Sequence, residues 1–183
     1  MSADHLTLDE LRALVRTVPD FPKPGIQFRD ITTLIGHPRG MASSVAHLAE
    51  RAHASGAQKI AGMEARGFIF GAAVAVALGI GFVPVRKPGK LPIDTIGIEY
   101  DLEYGTDRLE MDPGAIVPGE RVAIVDDLIA TGGTALATAQ LLRRAGAETP
   151  SALFVIDLPD LGGADRLRGA GLHVDALMQF EGD

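Results

Sequence analysis

The stretch VAIVDDLIATGGTALATAQLL, Val122 to Leu142, decides how the rest of the chain is read. Val122, Ala123, Ile124 and Val125 form a short apolar, largely β-branched run of the kind that makes a buried strand. Two acids, Asp126 and Asp127, stand at its carboxyl end. A Gly-Gly turn flanked by Thr131 and Thr134 follows, and the spacing beyond it predicts a helix from Thr134 to Arg144. In open α/β sheets ligands sit outside the carboxyl ends of the strands, so this turn is where a site is expected.

The residue types suggest a ligand. Successive backbone N–H groups from Ala130 to Thr134 can form an anion-binding concavity, and the start of the next helix adds a favourable dipole. Thr131 and Thr134 supply hydroxyl donors, while Gly132 and Gly133 permit backbone shapes and close approach that a Cβ forbids. Ionised Asp126 and Asp127 only accept hydrogen bonds, which suits paired ribose hydroxyls or a magnesium shell rather than the phosphate itself. Phosphate beside vicinal diol describes a ribose 5-phosphate; the plainer alternative is two acids ahead of an ordinary helix start. No GxGxxG and no GxxxxGK followed by Ser or Thr occurs, so neither a dinucleotide fingerprint nor a P-loop is supported.

Outward from this stretch, strands and helices alternate. KIAGM (Lys59–Met63), FVPV (Phe82–Val85) and ALFVI (Ala152–Ile156) read as strands, and Gly67 to Leu78 as an apolar helix. Thr7 and Glu10 have capping-box spacing, and Leu8, Leu11, Val15 and Val18 then share a helical face up to Pro19. Pro38 to Ala54 reads as another helix, with Gly56 placed to end it. Near-continuous apolar strands between helices predict one α/β domain over residues 1–183, with a central, mostly parallel sheet flanked by helices. Residues 87–120 break the rhythm, and a connection of that length inside a compact domain is expected to be a lid or a small hairpin.

Composition excludes several classes. With 46% hydrophobic and 22% charged residues among 183, the chain has the profile of a folded globular protein. A formal charge of -7 argues against a nucleic-acid partner, whose phosphates need clustered Lys and Arg. The chain contains 0 Cys, so there is no disulfide framework and no thiolate chemistry. The acidic, amphipathic N-terminus is unlike a signal peptide, and no apolar run approaches membrane-spanning length, so a cytoplasmic protein without a membrane partner is expected. His5, His37, His47, His53 and His173 show no metal-ligand spacing.

VAIVDDLIATGGT resembles the phosphoribosyl pyrophosphate motif of the type I phosphoribosyltransferases, and FPKPGIQFRDIT from Phe21, EARGFIFG from Glu64, RKPGKLP from Arg86 and LEYG from Leu102 are similar, in family order, to the adenine phosphoribosyltransferases. The resemblance runs from about Phe21 to the C-terminus. It implies transfer of the 5-phosphoribosyl group to adenine, giving AMP and pyrophosphate, with inversion at the anomeric carbon. It implies that Asp126 and Asp127 hold the ribose hydroxyls and Ala130, Thr131, Gly132, Gly133 and Thr134 hold the 5-phosphate. Within a base-binding segment of about 21–33, Phe28 would stack on adenine and the backbone of Gln27 and Arg29 would read its edge; Leu158 would close the other face. Glu64, Ala65 and Arg66, with the dense basic cluster Arg86, Lys87 and Lys90, would meet the pyrophosphate. Glu103 would exchange a proton with the purine in a mobile hood, with Tyr104 and Arg66 near the reaction centre. Mg2+ would be held mainly by the substrate and not by direct protein ligands, and a homodimer is implied. Two rivals stay open: the same fold acting on a 6-oxo purine, and a non-catalytic sensor of phosphoribosyl pyrophosphate.

Overall fold

The computed structural model describes residues 5–101 and 105–182. At its start, helix α1 (Leu8–Leu14) is closed by a capping box: the Thr7 hydroxyl accepts from the Glu10 N–H at 3.3 Å, and the Glu10 carboxylate accepts from the Thr7 N–H at 2.7 Å. The helix is shorter than the expected run to Pro19. Arg16–Pro19 instead forms strand β1, paired antiparallel with β2 (Gln27–Asp30) so that Val18 lies opposite Phe28. Thr17 and Val18 are β-branched and favour the extended form, and the Arg16–Asp30 ion pair fastens the ribbon's ends. Helix α2 (Thr32–Gly36) leads into α3 (Pro38–Ala54), whose first residue is proline and whose N-cap, His37, accepts from the Gly40 N–H at 3.0 Å.

The remaining elements follow as β3 (Lys59–Met63), α4 (Arg66–Leu78), β4 (Gly81–Val85), β5 (Ile96–Asp101), β6 (Thr106–Met111), β7 (Val122–Ile129), α5 (Gly133–Arg144), β8 (Ser151–Asp157), α6 (Gly163–Gly169) and β9 (His173–Gln179). Five strands form one parallel sheet in the order β4-β3-β7-β8-β9. Both faces are covered, and neighbouring residues of β7 serve opposite faces. Ile124 joins Leu141, Leu142, Leu109, Met111 and Leu167 on one side, while Val125 joins Leu11, Leu48, Phe70, Val74 and Val155 on the other. This two-sided burial is why the strands read as unbroken apolar runs.

From β3 the chain turns outward to β4, and from β7 it turns the other way to β8 and β9. The order therefore reverses between β3 and β7, and the segments after those two strands open into one crevice. Within the long 87–120 connection, β5 and β6 make an antiparallel hairpin, Ile96 opposite Met111 and Asp101 opposite Thr106, resting on α5. The expected glutamate and tyrosine of the hood, Glu103 and Tyr104, lie outside the described residues.

Candidate active site

Strand β7 runs through both acids to Ile129 before the chain turns, so Asp126 and Asp127 are strand residues with fixed directions, not members of a loop. Asp127 is buried and paired with the Arg66 guanidinium; Asp126 is half-buried and accepts from the Asp127 N–H at 2.8 Å. Burial pushes the Asp126 carboxyl well above the usual carboxylate range, and the adjacent Asp127 charge adds to the rise. An acid held in this way, at the mouth of a crevice, is suited to accept from substrate hydroxyls or share a cation.

Beyond β7, Gly132 adopts φ +76 and caps α5 with no side chain on the helix's first amides. Those amides have no partner within the helix and point into a cavity of about 270 Å³ lined by Glu64, Ala65, Arg66, Asp126, Asp127 and the turn from Ala130 to Thr134. Two glycine contacts shape it. A Cβ on Gly67 would come within 2.9 Å of the Asp126 carboxylate, so only glycine lets the start of α4 reach the acids. Gly163 donates its N–H to the Ala130 carbonyl at 3.0 Å, and a Cβ there would sit 2.2 Å from that oxygen. Sequence reading missed Gly163, because nothing local to a Gly-Gly pair 30 residues downstream points back to the turn.

The cation cluster is placed apart from the Ala130–Thr134 turn. Arg86 donates to the Glu64 carboxylate at 2.8 Å and to the Lys90 carbonyl at 3.2 Å; Lys87 is paired with Asp107, whose carboxyl is held below its usual value by that ammonium. None of Arg86, Lys87 and Lys90 lines the cavity beside the Ala130–Thr134 turn. The Glu64 N–H is also spent, on the Val85 carbonyl at 3.0 Å, and the Glu64–Ala65 peptide is cis. Of the cations expected at the pyrophosphate, Arg66 alone reaches into the cavity in this structure. A contact absent from the sequence reading joins the hairpin to the turn: Tyr100 donates to Asp107 at 3.2 Å and accepts from the Thr134 hydroxyl at 3.4 Å.

A second cleft, of about 630 Å³, adjoins the first and shares Arg66, Asp127 and Leu128 with it. Phe28 and Phe21, in edge contact with centroids 5.2 Å apart, face Leu158 and Leu161 across it. Phe28 is 40% exposed, unusual for an aromatic on a strand, because it looks into this cleft and not into the core. Among the described residues β2 pairs with β1 alone, leaving one edge with backbone groups turned away from β1. Gln27 and Arg29 are two apart, so their N–H and C=O groups face the same way.

A turn with free helix amides suited to an anion and an aromatic slot meeting at a carboxylate and an arginine, on a parallel sheet with a hairpin above, are the layout of a nucleotide-forming transferase. Residues 34–160 match the family model of the phosphoribosyl transferase domain. An adenine phosphoribosyltransferase from Erythrobacter litoralis is 70% identical over 177 residues, covering 97% of this chain and 99% of the relative. A solved adenine phosphoribosyltransferase from Thermoanaerobacter pseudethanolicus has a TM-score of 0.89 at 46% identity, covering 95% of this chain and 100% of that one. The Saccharomyces cerevisiae adenine phosphoribosyltransferase, solved with an imino-altritol bisphosphate and adenine, has a TM-score of 0.86 at 38% identity, covering 93% and 98%. The chain belongs to the adenine phosphoribosyltransferase family.

Proposed function

We propose that this site joins adenine to the 5-phosphoribosyl group of phosphoribosyl pyrophosphate, releasing AMP and pyrophosphate. The observation that carries the reading is the junction of the two clefts at Arg66, Asp127 and Leu128. A sugar seated there has its 5-phosphate in the Ala130–Thr134 turn, its hydroxyls on Asp126 and Asp127, and its anomeric carbon facing the slot between Phe28 and Leu158. The N9–carbon bond forms as the carbon–oxygen bond to pyrophosphate breaks, through an oxocarbenium-like transition state. The purine's ring proton passes to an acceptor for which Glu103 is the candidate, with Tyr104 beside it.

The protein's contribution is position and charge. Backbone groups of Gln27 and Arg29 read the 6-amino edge, and a 6-oxo purine would leave donors or acceptors mismatched at about 1–3 kcal/mol each. Arg66 faces the leaving group; Arg86, Lys87 and Lys90 join it if the carboxylates of Glu64 and Asp107 exchange partners on closure. Among the described residues no three His, Asp or Glu side chains cluster as a metal set. Magnesium held mainly by substrate oxygens would fit beside the two carboxylates, since that ion keeps several waters and substrate phosphates in its shell. Bound there, it would neutralise the pyrophosphate charge.

Helix α4 keeps Ile69 and Val76 exposed on the side opposite its buried Phe70 and Val74, and begins at Arg66; a second copy of the chain on that stripe would form the homodimer with its interface beside the active-site segments. No helix among the described residues is long and apolar enough to cross a membrane, and a cysteine-free chain suits the reducing cytoplasm proposed for it. The test is an assay with magnesium, phosphoribosyl pyrophosphate and each purine base. AMP from adenine is the expected product; activity with 6-oxo purines alone would overturn the base assignment, and ligand binding without turnover would leave a sensor.

A further inference from the structure

We propose that residues Phe180–Gly182 act as a clasp that sets the width of the base cleft, with Arg29 as its positioning residue; the proposal rests on the reading of that cleft as the adenine slot. The near wall of the slot belongs to the β1–β2 ribbon, which is not part of the five-stranded sheet. The far wall, Leu158 and Leu161, brackets the one-turn helix Pro159–Leu161 that follows β8. A planar base held on both faces needs these walls about 7 Å apart, two van der Waals contacts of about 3.5 Å each. Two elements fastened separately do not hold such a spacing without a tie.

The segment after β9 supplies one. On the near side, the Arg29 guanidinium donates to the Thr17 hydroxyl and to the Glu181 carbonyl, both at 2.8 Å, and lies 5.0 Å from the centre of the Phe180 ring. Arg12 of α1 covers the same ring at 4.2 Å and donates to the Gln179 carbonyl. On the far side, the Gly182 N–H donates to the Asp160 carboxylate at 2.9 Å, and the Phe180 N–H to the Asp157 carbonyl at 3.0 Å. Phe180 is buried, so the segment is anchored between its two attachments. Arg29 follows the stacking residue Phe28 and precedes Asp30, and its side chain turns away to the clasp while its backbone stays at the slot. Its fork geometry lets one side chain bridge β1 and the clasp, which a single ammonium would not do.

The experiment compares wild type, Arg29→Met and Asp160→Ala in the full chain. Asp160 is exposed, so its removal tests the clasp without risk to the core. The expected result is a rise in the adenine KM of about tenfold for Arg29→Met, which loses the guanidinium's bonds to Thr17, Glu181 and Gly182, and about threefold for Asp160→Ala, which loses one. The KM for phosphoribosyl pyrophosphate and the melting temperature stay near wild type. A wider slot also raises the kcat/KM of an N6-substituted adenine relative to adenine, which a general loss of stability does not do. Unchanged adenine kinetics in both variants, or a parallel loss of both substrates' affinity with the melting temperature, would overturn the clasp. A wild-type enzyme inactive with adenine would instead remove the slot's assignment, and the clasp with it.

Discussion

Asp126 carries a cost for holding its charge. Its folded pKa is raised, so the folded chain binds a proton more tightly than the unfolded chain, and stability falls as pH rises from the ordinary carboxylate value through the folded one. Asp126→Asn removes the charge, and its amide oxygen can still accept from the Asp127 N–H; the variant is expected to melt higher at neutral pH, by about 2–4 °C per kcal/mol relieved. The same change is expected to raise the KM for phosphoribosyl pyrophosphate by about tenfold or more, as a charged acceptor for ribose hydroxyls is lost. Melting curves at pH 5 and pH 7 check the sign, since the gain must shrink at the lower pH. Asp30 behaves in the opposite sense. Hydrogen bonds from Thr32, then Arg16, hold it down to about 2, so its stabilisation is present above the ordinary carboxylate pKa and is lost as pH falls from there through about 2. Gly163 tests positioning at the same scale. A methyl group 2.2 Å from the Ala130 carbonyl must push the phosphate turn, and a shift near 1 Å in such a turn costs about 100-fold in rate. Gly163→Ala is expected to lower kcat/KM for phosphoribosyl pyrophosphate by that order while leaving adenine binding intact, read by initial rates and by direct titration.

Among the elements, the β5–β6 hairpin has the clearest separable task. It rests on α5 and contacts the Ala130–Thr134 turn through Tyr100 and Thr134. In the proposed reaction, closure of the hairpin over the site would exclude water from the activated sugar. Joining Ile98 to Leu109 by a two-glycine turn keeps the buried Leu109 and Met111 in the core and is expected to shift products from AMP toward ribose 5-phosphate; chromatography of the products checks the ratio, and an unchanged ratio would deny the hairpin that role. The elements also mark where sequence could be read. Val122–Leu142 was legible as strand, turn and helix because a β-branched run and paired glycines mark these locally; the acids also suited an ordinary helix start, and the structure instead carries the strand through them to Ile129. The N-terminal helix was overextended because Leu8, Leu11, Val15 and Val18 keep helical spacing by coincidence: Val15 still packs on the core, but Val18 belongs to a ribbon whose partner lies ten residues on. In β9, Leu177 breaks the alternation, and α6 has only Ala164 and Leu167 as buried side chains beside its glycines, so neither showed a period. The base cleft rested on family resemblance, since an exposed Phe28 and an ordinary Leu158 are uninformative singly. Arg86 and Lys87 were visible as a basic patch, but their neutralising acids, Glu64 and Asp107, stand 22 and 20 residues away.

At the scale of the whole molecule, the two faces of the sheet are not treated alike. The face carrying α5 is covered again by the hairpin, whereas α4, on the other, buries Gly67, Phe70, Gly71, Val74 and Ala75 and presents Ile69, Ala72, Ala73 and Val76 outward. Those four recur at helical spacing with no charge among them, and Val76 is 80% exposed. A continuous apolar stripe on a helix that opens the active site is a surface that a second copy can cover, and a two-fold contact would set the two Arg66 residues near the shared edge. Val76→Lys places a charge within that stripe, at its most exposed residue, without touching the core. The expected outcome in analytical ultracentrifugation is a dimer for the wild type and a monomer for the variant, with melting becoming independent of protein concentration. If α4 also steadies the segment from Glu64 to Arg66, the monomer keeps its fold and its adenine affinity but loses affinity for pyrophosphate, measured as product inhibition. A variant that stays dimeric would move the interface elsewhere on the molecule, and a monomer with wild-type pyrophosphate inhibition would separate assembly from the site.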